Sequence, residues 1–411
     1  MKRKVLLAIA DGVGDLPIKE LDEKTPLQYA STPTLDLLAK EGSSGIMDLL
    51  DAGIPVGTDL GHMLLFGYPN SAYPGRGPIE AAGIGLDIQS GDIAFRCNFA
   101  TVDGNGVVLD RRAGRINQKT SELASALNGV EVDGIKVIFK EATEHRAVMI
   151  LRGLDLSEKI TDTDPKLPEP GLNFLLSKSI DGLKESVNTA RVLNELLEKF
   201  HHILKAHPVN KEREENGLLP ANFILTRGAG KVPNIQKMTE QFGFKGACVA
   251  SESTVLGAAK IAGFKLICKE GMTGNLDTDI YLKAQLALEA LKMNDFVVLH
   301  FKAPDLMGHD NNPLGKVKAI EKYDKMLSYV LENRQENTLI ALAADHSTPC
   351  SRKEHSGDPV PIVLNGKNIR VDNVDKYNEI DCANGIINRI NATMFSNLLY
   401  DYLHLTKKQG N

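Results

Sequence analysis

Short apolar runs and amphipathic stretches alternate along the chain. Residues 5–10 (VLLAIA) are apolar without interruption and stop at Asp11. A run that short and that unbroken predicts a strand covered on both faces. The period then changes. Thr32 and Pro33 supply an N-cap and a proline at the first helical position, Leu35, Leu38 and Ala39 share a face, and Gly42 closes the segment. Val187, Ala190, Leu193, Leu196, Leu197, Phe200 and Leu204 recur at helical spacing and lead into a strand predicted over 222–226. Further strands are predicted over 295–301, 338–343 and 361–364. This alternation is the pattern of a doubly wound α/β fold with a mostly parallel sheet.

The middle of the chain departs from it. Between about 87 and 155 the alternation is short, with strand-like segments at 93–101, 135–139 and 147–151 and glycine turns between them. The proline-rich, acidic stretch 162–171 reads as a linker. The expected organisation is a core of residues 1–86 and 172–411 carrying an inserted smaller α+β domain at 87–171.

Composition narrows the function classes. A chain of 411 residues with 25% charged and 42% hydrophobic positions is ordinary for a globular protein of two domains. The net charge of -5 argues against a general nucleic-acid binder, while leaving room for a local basic pocket. Cys97, Cys248, Cys268, Cys350 and Cys382 are odd in number and never spaced C-x-x-C, which fits free thiols in a reducing cytoplasm. The opening Met-Lys-Arg-Lys resembles the start of a signal peptide. The apolar run behind it is too short for a signal core or a membrane span, so no membrane partner is expected.

The candidate chemistry gathers where strands end. Asp11 follows the first run, Asp305 and His309 follow the run ending near Phe301, Asp345 and His346 follow the run ending at Ala343, and His355 lies a little beyond. In open α/β sheets the residues beyond the carboxyl ends of strands converge on one crevice. Any one of the six could be a turn, cap or packing residue. As a set of mixed oxygen and nitrogen donors they suit Mn²⁺, Zn²⁺, Co²⁺ or Fe²⁺ better than Ca²⁺. Thr58, in Gly57-Thr58-Asp59 between a glycine- and proline-bearing loop and an apolar segment, would stand at a helix N-terminus, where backbone N–H groups and the helix dipole favour a phosphoryl group. The same position also suits a plain N-cap.

Two phosphate-binding motifs are excluded. Gly228-Ala229-Gly230-Lys231-Val232 lacks the Ser or Thr after the lysine, and Gly12-Val13-Gly14-Asp15-Leu16-Pro17 has proline where a dinucleotide fingerprint needs its third glycine. Neither ATP nor NAD is expected.

Taken together with Gly75-Arg76-Gly77, the segment 95–101 (FRCNFAT), the segment 110–116 (DRRAGRI), His145-Arg146-Ala147, Arg227-Gly228-Ala229-Gly230 and the segment 355–361 (HSGDPVP), the chain resembles the archaeal-type, 2,3-bisphosphoglycerate-independent phosphoglycerate mutases of the alkaline phosphatase superfamily. The resemblance implies an alkaline phosphatase-like core and a reaction interconverting 3-phosphoglycerate and 2-phosphoglycerate through a phosphoenzyme. It also implies two divalent metal ions, Mn²⁺ first and Co²⁺, Zn²⁺ or Mg²⁺ as alternatives, and no 2,3-bisphosphoglycerate. One ion would be held by Asp305, His309 and His355, the other by Asp11, Asp345, His346 and the nucleophile Thr58. Arg96, Asp110, Arg111, Arg112, Arg115, His145, Arg146 and Arg227 would grip the substrate. The family's nucleophile is ordinarily serine, so Thr58 is a departure. The expected partners are small phosphoglycerates and, as an open point, further copies of the chain. The alternatives are a metal-dependent phosphatase, phosphodiesterase or other phosphotransferase on the same core, and a protein that only binds phosphometabolites.

Overall fold

Strand Lys4–Ala10 is fourth of eight in a sheet, and its composition explains the place: its six apolar residues all have zero exposure, which needs cover on both faces. The computed structural model describes residues 2–165 and 171–410. From edge to edge the sheet runs Lys265–Ile267, Gly246–Val249, Phe296–Phe301, Lys4–Ala10, Thr338–Ala343, Val360–Asn365, Ser43–Asp48 and Asn388–Asn391. Every pairing is parallel except the two made by Val360–Asn365. Ala10 is in register with Phe301 and Ile9 with Ala343. Three strands therefore end side by side, and the residues just after them emerge at one carboxyl edge.

Helix Pro33–Lys40 starts at the expected proline, but its cap comes from elsewhere. Thr32 makes no capping bond; the N–H groups of Thr34 and Leu35 donate to Asp324 Oδ1 at 2.9 and 2.8 Å, from helix Pro313–Asn333. The first-turn donors are thus satisfied by tertiary packing instead of by the local sequence.

The chain divides into two compact units, residues 1–73 with 236–411, and residues 74–235. The second contains an antiparallel sheet built around Ile93–Val102, which pairs with Arg146–Arg152, Phe223–Lys231 and Val108–Asp110, with Ile135–Glu141 and Glu131–Val132 beyond Arg146–Arg152. Helix Lys184–Ala206 buries Leu193, Leu196 and Phe200 in one cluster with Phe95, Cys97 and Phe99 of that sheet. Ala81 of helix Arg76–Gly83 clusters instead with Ala94, Val148 and Ile150. The ends of this unit touch: a Cβ on Gly230 would meet the Pro74 carbonyl and the Pro78 ring, so only glycine allows the approach.

The second unit is larger than the expected insert. The strand predicted over 222–226 is Phe223–Lys231, and it joins the antiparallel sheet, not the parallel one. An apolar run and a helical period announce an element without naming the sheet it enters. The expected linker 162–171 falls partly on residues 166–170, outside the described residues. Its first part is packed: Thr163 and Asp164 are buried, and Thr163 Oγ1 lies 3.0 Å from Thr226 Oγ1. Among the described residues no helix is long and apolar enough to cross a membrane.

Candidate metal centre

Three carboxylates meet at the carboxyl edge of the parallel sheet. Asp11, fully buried, accepts from His300 Nε2 at 2.8 Å through Oδ2, and both of its oxygens lie 3.1 Å from Lys302 Nζ. Lys302 also reaches Asp305 Oδ2 at 2.6 Å. Asp345 accepts from the Gly12 N–H at 3.3 Å through Oδ1, and its buried Oδ2 has no hydrogen-bond partner among the described residues. Burial pushes the Asp345 carboxyl well above the usual range, and neighbouring Asp11 pushes the same way. Burial also acts upward on Asp11 and Asp305. Lys302 and the His300 hydrogen bond together outweigh it at Asp11, and neighbouring His355 together with Lys302 outweighs it at Asp305, so both carboxyls end below the usual range. Burial opposes the Lys302 charge, but Asp11 and Asp305 hold the ammonium above the ordinary lysine value. One ammonium faces three carboxylates, and the orphaned Asp345 oxygen is the kind of donor that a cation would satisfy.

The imidazoles are oriented for the same role. His309 Nδ1 lies 2.8 Å from the Lys353 carbonyl and His355 Nδ1 2.8 Å from the Val56 carbonyl. A carbonyl can only accept, so each Nδ1 carries the proton and each Nε2 is left as a lone pair. His346 is fixed through Thr348, whose hydroxyl donates to Asp305 at 2.6 Å and accepts from His346 Nδ1 at 3.0 Å. The three Nε2 atoms then point at carboxylate oxygens: His309 and His355 at Asp305 Oδ1, 3.4 and 3.6 Å away, and His346 at Asp11 Oδ1 and Asp345 Oδ2, 3.4 and 3.3 Å away. Lone pairs facing carboxylates need a proton or a metal ion between them. Burial holds His346 down at about 3, so its neutral, ligating form prevails at neutral pH. At His355 burial is outweighed by the Asp305 carboxylate, which raises the imidazole's pKa.

Two tight sets result, Asp305 with His346 and His355, and Asp11 with Asp345 and His346. His346 is common to both. His309, which the resemblance places with Asp305 and His355, stands just outside them on the more exposed side, 5.1 Å from the His355 ring. The carboxylates and imidazoles fit a pair of divalent ions by donor type and orientation.

Thr58 is the first residue of helix Thr58–Leu65, and Gly57 is the N-cap, so the plain-cap reading of Thr58 does not hold. Its hydroxyl lies 3.2 Å from His346 Nε2 and 3.5 Å from Lys302 Nζ. Its carbonyl lies 2.7 Å from His62 Nδ1, one helical turn on. The next residue, Asp59, accepts from the Tyr73 hydroxyl at 2.5 Å.

The loops that carry these groups are fastened from behind. Gly12, at φ 61°, brings the backbone so close to Asp305 that a Cβ would lie 2.7 Å from its carboxylate. Lys316, with zero exposure, donates to the Gly14 and Thr348 carbonyls and to Asp15 Oδ2 at 3.1, 2.9 and 2.9 Å. One buried ammonium thus ties the loop after the first strand to the loop after Asp345-His346. Lys316→Met leaves Asp15 buried without its cation and is expected to cost about 3–5 kcal/mol of unfolding free energy. Urea unfolding checks this; an unchanged midpoint would show that the tie is not needed.

Lys302, His300 and His62 were missed from sequence. Lys302 had the same strand-end signal as Asp305 but is not a metal-ligand type. His300 and His62 are single polar residues within apolar runs, which read as core.

In the second unit, strand register places Arg227 opposite Arg96 and Arg146 opposite Asn98, two residues along, so the three arginines share one face of the antiparallel sheet. Burial lowers the Arg96 guanidinium to about 10; Glu80 opposes this, while Arg76, Arg227 and Arg146 add to it. His145 is buried and lowered, first by desolvation and then by Arg146 and Arg112. Arg111 differs, because it commits Nε and an Nη to buried Asp164 at 2.8 and 2.6 Å. Asp110 accepts from the Arg112 N–H at 2.6 Å, and Arg115 stands exposed on the same turn at φ 57°. Close guanidinium groups on one face form a surface for anions.

Such a sheet edge, with convergent carboxylates, imidazoles and a hydroxyl, is the arrangement of enzymes that handle phosphate esters with bound cations. A family model described as 2,3-bisphosphoglycerate-independent phosphoglycerate mutase matches residues 39–210. The protein named 2,3-bisphosphoglycerate-independent phosphoglycerate mutase 1 of Methanocaldococcus jannaschii is 45% identical over 414 residues, covering 100% of this chain and 99% of the relative. The mutase of Methanococcus aeolicus is 46% identical over 409 residues, covering 99% and 100%. Among solved structures, the cofactor-independent phosphoglycerate mutase of Thermoplasma acidophilum is similar at a TM-score of 0.75 and 35% identity, covering 98% of this chain and 100% of that one. The chain belongs to the 2,3-bisphosphoglycerate-independent phosphoglycerate mutase family.

Proposed function

We propose that the protein interconverts 3-phosphoglycerate and 2-phosphoglycerate by way of a phosphorylated Thr58, at a centre holding two divalent ions, with Mn²⁺ first and Co²⁺, Zn²⁺ or Mg²⁺ as alternatives. Family membership supports the reaction. The observation that carries the mechanism is the convergence of three carboxylates and three imidazole Nε2 atoms, with the Thr58 hydroxyl 3.2 Å from one of those nitrogens. Bound ions would lower the hydroxyl's pKa and neutralise charge on the phosphoryl oxygens. Thr58 Oγ1 loses its proton and attacks phosphorus as the bond to the substrate oxygen breaks, and a proton is made up on the departing oxygen, which leaves as a glycerate hydroxyl. Lys302, at 3.5 Å from Oγ1, offsets charge beside the transferred group. The glycerate is retained, and its other hydroxyl recovers the phosphoryl group. No 2,3-bisphosphoglycerate enters this scheme.

The arginine face of the second unit, with Asp110 and His145, is the proposed grip for the substrate's carboxylate and phosphate. Arg146 is exposed, so its removal probes binding with little effect on folding. Arg146→Ala is expected to raise KM about 10- to 100-fold, the worth of one charge-assisted hydrogen bond, with the melting temperature unchanged. A wild-type KM would take Arg146 out of the grip. A cytoplasmic setting belongs to the same proposal and accords with five cysteines that form no disulfide.

The test of the reaction is an enolase-coupled assay on 3-phosphoglycerate with Mn²⁺ and no 2,3-bisphosphoglycerate. Formation of 2-phosphoglycerate is the expected result. Net release of inorganic phosphate without it would replace the mutase reading with a phosphatase.

A further inference from the structure

We infer that His300 is a positioning residue that sets which oxygen of Asp11 is offered to a metal ion. The inference rests on the cation-binding reading of the site. His300 sits in strand Phe296–Phe301 (FVVLHF), where it is the single polar residue and all six positions are buried. Its side chain has zero exposure. Nε2 lies 2.8 Å from Asp11 Oδ2, whereas Nδ1 is buried and has no hydrogen-bond partner among the described residues. A carboxylate accepts only, so the proton is on Nε2 and Nδ1 is a bare lone pair.

Leucine or phenylalanine would fill this strand position without an unpaired nitrogen. The strand therefore sacrifices packing quality for one N–H aimed at Asp11. Lys302 cannot do the same job, because its Nζ is 3.1 Å from both Asp11 oxygens and does not distinguish them. His300 does distinguish them. It engages Oδ2 and leaves Oδ1 turned to His346 Nε2 at 3.4 Å, inside the set Asp11, Asp345 and His346. The His62 ring packs edge-on at 5.2 Å and is itself held on the Thr58 carbonyl, so the His300 imidazole is backed by a fixed neighbour. Partners of this kind, hydrogen-bonded to a ligand, fix its orientation and tune affinity.

The test compares His300→Leu, which lacks the donor, with His300→Gln, whose amide nitrogen can stand near the place of Nε2. The full-length proteins are stripped with chelator, titrated with Mn²⁺ by calorimetry without substrate, and melted in the metal-free form. His300→Leu is expected to weaken one of the two sites about 10- to 100-fold while His300→Gln stays within about threefold of wild type. The metal-free melting temperature of His300→Leu should stay close to that of wild type, because Lys302 still pairs Asp11, so a loss of affinity rescued in His300→Gln reports the missing donor and not a structural role. Wild-type affinity at both sites in His300→Leu would overturn the inference, as would loss of affinity in both variants in step with lower metal-free melting temperatures. Failure of wild type to bind Mn²⁺ would overturn it together with the metal centre. Failure to form 2-phosphoglycerate would leave the titration unaffected and would count against the mutase reading alone.

Discussion

Thr58→Ala is expected to lower kcat by at least about a thousandfold, because it removes the attacking oxygen and leaves nothing in its place to carry the phosphoryl group. The helix should survive the change. Alanine is a strong helix former, and the first turn is closed by the Gly61 N–H on the Gly57 carbonyl at 2.8 Å, a bond that does not involve the Thr58 side chain. Thr58→Ser keeps the hydroxyl beside His346 and Lys302 and is expected to stay within about tenfold of wild type, since only a methyl group is lost. Labelling with ³²P-phosphoglycerate gives a second readout: base-stable phosphothreonine in wild type, base-labile phosphoserine in Thr58→Ser and no labelled protein in Thr58→Ala. Turnover by Thr58→Ala above a tenth of the wild-type rate would exclude Thr58 as nucleophile.

Removal of divalent ions has the second large effect. Stripped protein is expected to show no turnover, with recovery on adding Mn²⁺. It should also be less stable, because saturating a site at a hundred times its Kd contributes about 2.7 kcal/mol. The structural reason is the crowding of Asp11, Asp305 and Asp345 around a single lysine ammonium, a charge imbalance that bound cations would correct. Calorimetric melting with and without Mn²⁺ measures the shift. Equal melting temperatures together with undiminished turnover in stripped protein would rule out the proposed centre.

Much of this site could be read from sequence because its ligands follow apolar strands closely. Asp11 comes directly after Lys4–Ala10, and Asp345 two positions after Thr338–Ala343, so the parallel-sheet pattern alone brings them to one edge. Strands without that apolar signature were not anticipated. Ser43–Asp48 and Asn388–Asn391 are rich in serine, glycine and asparagine, and Gly246–Val249 and Lys265–Ile267 are only four and three residues long. The pairing of Phe223–Lys231 with Ile93–Val102 was equally illegible, since it depends on contacts across more than a hundred positions. The same limit hid the roles of His300 and Lys316. Each is defined by what it touches, and the touching residues are distant in the chain.

The meeting of Pro74 with Gly230 makes the second unit a closed excursion from the chain. Only residues 231–235 separate that junction from Gln236, a reach of roughly 20 Å at full extension. All the groups proposed to hold ions lie outside the excursion, and all the arginines proposed to hold substrate lie within it. A single recombination event could therefore exchange one module without reordering the eight strands of the other. Selection for a new substrate and selection for a new metal would then act on separate stretches of the gene.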